Sequence, residues 1–116
     1  MKGINLSNQL LETLCDLVTE AHTRIQKNFS HLDPIVGVSQ SMRKSGVPAD
    51  AMTIDCLRSG KRIIIVLHDE SPNLVNYQFA YRDKDPFNDF EQLASNELSE
   101  QILYNWMHSY FLANDK

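Results

Sequence analysis

Two runs of alternating apolar residues, Met52 to Arg58 and Lys61 to His68, flank the dipeptide Ser59-Gly60. A two-residue link ending in glycine closes a tight antiparallel turn, because glycine takes the positive φ that such turns need. The spacing therefore predicts a hairpin that pairs Arg58 with Lys61, Cys56 with Ile63, Ile54 with Ile65 and Met52 with Leu67. Side chains alternate across a strand, so these partners share one face, and that face is apolar almost throughout.

After the second run, Asp69-Glu70-Ser71-Pro72-Asn73 supplies turn chemistry, and a third run extends from Leu74 to Arg82. Parity fixes how this strand sits. A five-residue connector places Val75, Tyr77, Phe79 and Tyr81 beside Leu67, Ile65, Ile63 and Lys61, whereas four residues would turn them to the opposite face. The expected sheet is a three-stranded antiparallel meander over about 52–58, 61–68 and 74–82. One face is richly apolar. The other is mixed: Thr53, Asp55, Leu57, Arg62, Ile64, Val66, His68, Leu74, Asn76, Gln78 and Ala80.

Residues 8–29 carry Leu10, Leu11, Leu14, Cys15, Leu17, Val18, Ala21 and Ile25 on one stripe, which predicts a long amphipathic helix with Ser7 as N-cap. Asp33-Pro34 reads as a helix start and Gly46 with Pro48 as a stop, so a short second helix is expected between them, with Ile35, Val38 and Met42 on one face. A C-terminal helix is expected to begin near Ser99, with the stripe Ile102, Leu103, Trp106, Tyr110 and Phe111. These elements make an α+β fold in one domain over residues 1–116, a length that buries roughly two-thirds of the unfolded surface around a single core.

The net charge is −4, with eight Lys/Arg against six Asp/Glu in residues 1–62 and three against nine in residues 63–116. An acidic half without a basic stripe repels phosphates, so no nucleic-acid partner is expected, and a basic protein partner fits better. No apolar run approaches the ~20 residues of a membrane span, and Met1-Lys2-Gly3-Ile4-Asn5 lacks the apolar core of a secretory signal. The expected location is the cytoplasm, where Cys15 and Cys56 stay reduced.

Candidate chemistry fails on geometry. Cys56 and His68 would make a nucleophilic dyad, but the register turns them to opposite faces. Asp83, Asp85, Asn88 and Asp89 suggest a calcium loop, yet counting from Asp83 the sixth and twelfth positions are Asn88 and Ala94, where the pattern needs glycine and a carboxylate. Surface ion pairs with Arg58, Lys61 and Arg62 are the simpler use of Asp83 and Asp85. His68, Asp69 and Glu70 remain as the alternative centre, for a small enzyme or a metal-dependent ligand binder. No catalytic set, cofactor motif or metal-ligand spacing is assigned.

Counting faces points to protein contacts. The rich face has room for about two helices, since helices pack roughly 8–10 Å apart and strands ~4.8 Å. The run Ile63-Ile64-Ile65-Val66-Leu67 is apolar on both faces, which marks a strand covered on both sides. Leu57, Arg62, Ile64, Val66, Asn76 and Gln78 are thus the expected interface, with a second copy as the expected cover. Phe87 and Phe90, two aromatics in a polar connector, either plug the core edge or form a partner-binding knob. The order helix, helix, three-stranded meander, helix resembles small secretion chaperones and other dimeric α+β adaptors. That resemblance implies a non-enzymatic, homodimeric protein that binds other proteins.

The failed calcium pattern carries a direct test. Calcium, magnesium or zinc should leave the melting temperature unchanged, because an ion that binds only the folded state must raise it. A rise of several degrees, lost in Asp83→Asn/Asp85→Asn, would show that the acidic connector is a metal site.

Overall fold

The computed structural model describes residues 6–83 and 90–113. Helix α1 (Leu6–Asn28) leads into strand β1 (Ile35–Ser39), a one-turn helix α2 (Ser41–Lys44), strands β2 (Ala49–Cys56), β3 (Lys61–His68), β4 (Leu74–Tyr81) and β5 (Glu91–Ala94), a 3-10 turn at Ser95–Glu97, and helix α3 (Glu100–Phe111). The fold is α+β, with one antiparallel sheet in the order β1-β2-β3-β4-β5. Two of its five strands were not expected.

The segment expected as a second helix is mostly strand. Ile35, Val36 and Val38 are β-branched and resist helix through their restricted side-chain torsions, and the ladder along Asp55 to Ala51 gives the backbone of Ile35, Gly37 and Ser39 its partners. Only Ser41–Lys44 is helical. Strand β5 pairs Glu91 to Ala94 with Tyr77 to Leu74; its residues have weak strand preference, so the neighbouring strand rather than local sequence creates it.

The hairpin also differs from expectation. Cys56 pairs with Lys61, Ile54 with Ile63 and Met52 with Ile65, so the connection is the four residues Leu57 to Gly60, and Arg58 does not pair with Lys61. Gly60, at φ 77, supplies the left-handed residue as anticipated. The shift is by two residues, which preserves the face of every side chain. Between β3 and β4 the expected register holds, with Lys61 opposite Tyr81, Ile63 opposite Phe79 and Ile65 opposite Tyr77.

Helices α1 and α3 lie side by side on the rich face. Leu14, Val18, Ala21 and Ile25 of α1 share one buried cluster with Ile54, Ile63, Ile65 and Val75 of the sheet and with Leu103, Tyr104, Met107 and Phe111 of α3. The buried side of α3 is therefore centred about one position away from the expected stripe, and Ile102, Trp106 and Tyr110 lie at its margin. The ring of Trp106 stacks on Tyr77 with centroids 4.3 Å apart. Between the helices, the Arg24 guanidinium lies 3.9 Å from the Tyr104 ring centroid and donates to Glu100 Oε1 at 2.8 Å.

Both ends of α3 are satisfied. The Ser99 hydroxyl accepts from the Ile102 amide, the expected N-cap. The buried Lys61 ammonium donates to the Tyr110 and Ala113 carbonyls at 2.9 and 3.0 Å, placing a cation where the helix leaves its carbonyls unpaired. Helix α1 begins at Leu6, so Ser7 stands inside it rather than at its cap.

An added Cβ at Gly60 meets nothing within 4 Å, so the left-handed backbone alone opposes substitution there. Gly60→Ala should lower stability by about 1–2 kcal/mol, and Gly60→Asn by less, because asparagine tolerates that region better. Urea denaturation of the three proteins tests this, and equal midpoints would contradict the turn geometry.

Candidate functional site: the open face of the sheet

With both long helices on one side, the opposite face of the sheet has no helix packed across it among the described residues. Strands β3 and β4 build this face. Arg62, Ile64 and Val66 alternate along β3, and register sets Ile64 beside Gln78 and Val66 beside Asn76. Five of the six expected interface residues are thus neighbours. Leu57 is not among them: β2 ends at Cys56, and Leu57 stands in the hairpin connection, 54% exposed.

One end of the face is charged and ordered. Asp55 of β2 sits opposite Arg62 and accepts from its Nε and Nη2 at 2.7 and 2.9 Å, while the Arg82 guanidinium approaches to 3.4 Å. The hydrogen bonds to Asp55 push the Arg62 pKa up, against the opposing effect of burial. Arg62 was expected to meet Asp83 or Asp85 as well, but Asp55 takes its fork and Lys61 turns to the end of α3. Asp85 lies outside the described residues.

The other end is a small cleft. Met42, Val66, His68, Asn76 and Phe90 enclose about 290 Å³. Phe90 is 38% exposed and belongs to this cleft rather than to the main core, so it extends the apolar surface of Val66. Phe87 lies outside the described residues.

Met42 reaches the cleft because Arg43, its neighbour on α2, is clamped by two carboxylates. Its Nε and Nη2 donate to Asp50 at 2.7 and 2.9 Å, and its Nη1 and Nη2 donate to Asp69 at 2.7 and 2.6 Å. Asp50 is 0% exposed, and Gln40 adds a hydrogen bond at 3.2 Å. Such fork-to-fork pairing fixes orientation as well as charge. The bonds to Asp69 and Asp50 drive the Arg43 pKa further up. The same fork holds Asp50 below the usual carboxylate range, against its burial.

The sequence reading missed this clamp, although a signal was present. Asp50 has the same parity as Met52, Ile54 and Cys56, and a carboxylate at the end of an apolar row requires a cation, which Arg43 supplies. The clamp also engages one member of the His68, Asp69 and Glu70 centre. Asp69 is engaged by Arg43, His68 lines the cleft, and Glu70 is exposed. Among the described residues, no group of three or more His, Cys, Asp or Glu could hold a metal ion. Cys56 and His68 do stand on opposite faces, as their opposite parity across the β2–β3 ladder requires.

No described helix is long and apolar enough to cross a membrane. No protein-family model, curated protein or solved structure matches the chain.

The clamp predicts a pH signature. Asp50 binds its proton more weakly in the folded state than in the unfolded chain, so its contribution is complete above the ordinary carboxylate value of about 3.9 and is lost as pH falls through the lower folded value. Asp50→Asn should therefore lower the urea midpoint at pH 7, and the gap to wild type should narrow as pH drops below about 4. A gap independent of pH would show that the carboxylate charge contributes nothing.

Proposed function

We propose that this chain is a small non-enzymatic protein of the cytoplasm, adaptor-like or chaperone-like, that acts through protein–protein contacts as a homodimer. The observation that supports this reading is the one-sided packing of α1 and α3, which among the described residues leaves the face of Ile64 and Val66 without a helical layer. An apolar strand centre bounded by ion pairs matches the layout of interfaces, with a water-poor middle and a polar rim. Ile64 and Val66 form the middle. Arg62 and Asn76 form the rim, Gln78 beside Ile64 is buried within the chain at 4% exposure, and Met42 with Phe90 widens the apolar part at one end.

A twofold contact is the commonest closed arrangement for such a surface. Burying Ile64 and Val66 against a partner stabilises each side chain by roughly 1.5–3 kcal/mol, less what each already gains half-buried. Light scattering at micromolar concentration should give close to twice the chain mass. Ile64→Asp, which places a charge at the centre of the patch, should give the single-chain mass or insoluble protein. A wild-type chain that stays single under these conditions would overturn the homodimer.

A further inference from the structure

Strand β1 ends the sheet on one side, with β2 as its neighbour. Which of its main-chain groups face outward follows from the ladder. Pro48 accepts from the Asp69 amide at 2.9 Å, one position before the Ala49–His68 pair, so even-numbered residues of β2 direct their backbone toward β3. Odd-numbered Asp55, Thr53 and Ala51 then face β1, where they meet Ile35, Gly37 and Ser39. The N–H and C=O groups of Val36 and Val38 are left pointing out of the sheet. Their side chains are also exposed, at 38% and 47%, and Ile35 on the opposite face is 49% exposed.

We infer that this edge is a second self-association seam, in which β1 pairs antiparallel with β1 of another copy about a twofold axis at Gly37. The sequence Val36-Gly37-Val38 reads the same in both directions. Pairing about Gly37 therefore sets Val36 opposite the other copy's Val38 twice, and each pair exchanges two hydrogen bonds through the outward groups. The valine side chains join in one row beside α1, continuous with the cleft formed by Val18, Thr19, His22, Pro34 and Val36.

Gly37 supports the same arrangement independently. Glycine weakens a strand interior, and nothing among the described residues requires it here. Its φ is not positive, and an added Cβ would meet only Thr53 Oγ1, at an ordinary 3.5 Å. At the twofold axis, Gly37 faces its own copy as a pair without hydrogen bonds, where Cα atoms approach to about 4.5 Å. The missing side chain leaves space for Ile35 of the other copy, which lies opposite Ser39. The strand also carries no charge from Ile35 to Ser39, so it lacks the usual guard against edge pairing.

The seam uses none of the residues assigned to the open face, so the two contacts are separable. Amide hydrogen exchange on the intact chain, at the high concentration of an NMR sample, reads the edge directly. Exchange at the Val36 and Val38 amides should be slowed at least roughly tenfold relative to a dilute sample or to Val38→Lys. The Gly37 amide, bonded to β2, should remain slow in all three and so reports that Val38→Lys is folded. Val36 and Val38 amides that exchange fast at every concentration would overturn the seam, whatever mass the open-face contact gives at micromolar concentration. A single-chain mass at micromolar concentration together with slow edge amides would instead retain the seam and remove the open-face dimer.

Discussion

The packing of α1 and α3 onto the same side of β2, β3 and β4 is the constraint from which the rest of the molecule follows. Burial of Ile54, Ile63, Ile65 and Val75 beneath Leu14, Val18, Leu103 and Met107 supplies the dominant favourable free energy, since that term scales with apolar area removed from water. Two helices occupy the width of about three strands. Strand β1 therefore lies beyond their cover, and among the described residues the other face receives only the single turn of α2, at one end. The open face and the exposed edge are consequences of one geometric fact.

Polar side chains then fix what the apolar core leaves loose, and they do so at opposite ends of the sheet. Lys61 closes the C-terminal end of α3 near the hairpin. Arg43 ties the single turn of α2 to Asp50 and Asp69 at the far end. A four-residue helix has no stability of its own, so this clamp, rather than helix propensity, holds Met42 against the cleft of Val66 and Phe90. The chemistry of the site is in this sense positional: the charged groups are occupied in placing apolar ones.

The two charged clusters are triads of opposite residual charge: Asp55 with Arg62 and Arg82 leaves one positive charge in excess, and Arg43 with Asp50 and Asp69 leaves one negative. Among the described residues, strand β1 leaves Ile35, Val36 and Val38 exposed at the edge of the sheet.

Sequence alone determined α1 and α3, because long stripes at helical spacing and the Ser99 cap are local signals. It also determined which face each residue of β3 and β4 occupies, because alternation has a period of two and survives a register shift of two, which is why Ile64, Val66, Asn76 and Gln78 were placed together correctly while Leu57 was not. Tertiary structure decided the rest. Whether Ile35 to Ser39 became helix or strand depended on a partner strand that local propensity does not see; Asp33-Pro34 suits either outcome. Strand β5 exists through the ladder to β4, and the hairpin took a four-residue connection, leaving Leu57 in the loop. The contacts of Arg43 with Asp69 and of Lys61 with Tyr110 join residues 26 and 49 positions apart, and such pairs form only once the chain has folded, because no spacing rule in the sequence brings them together.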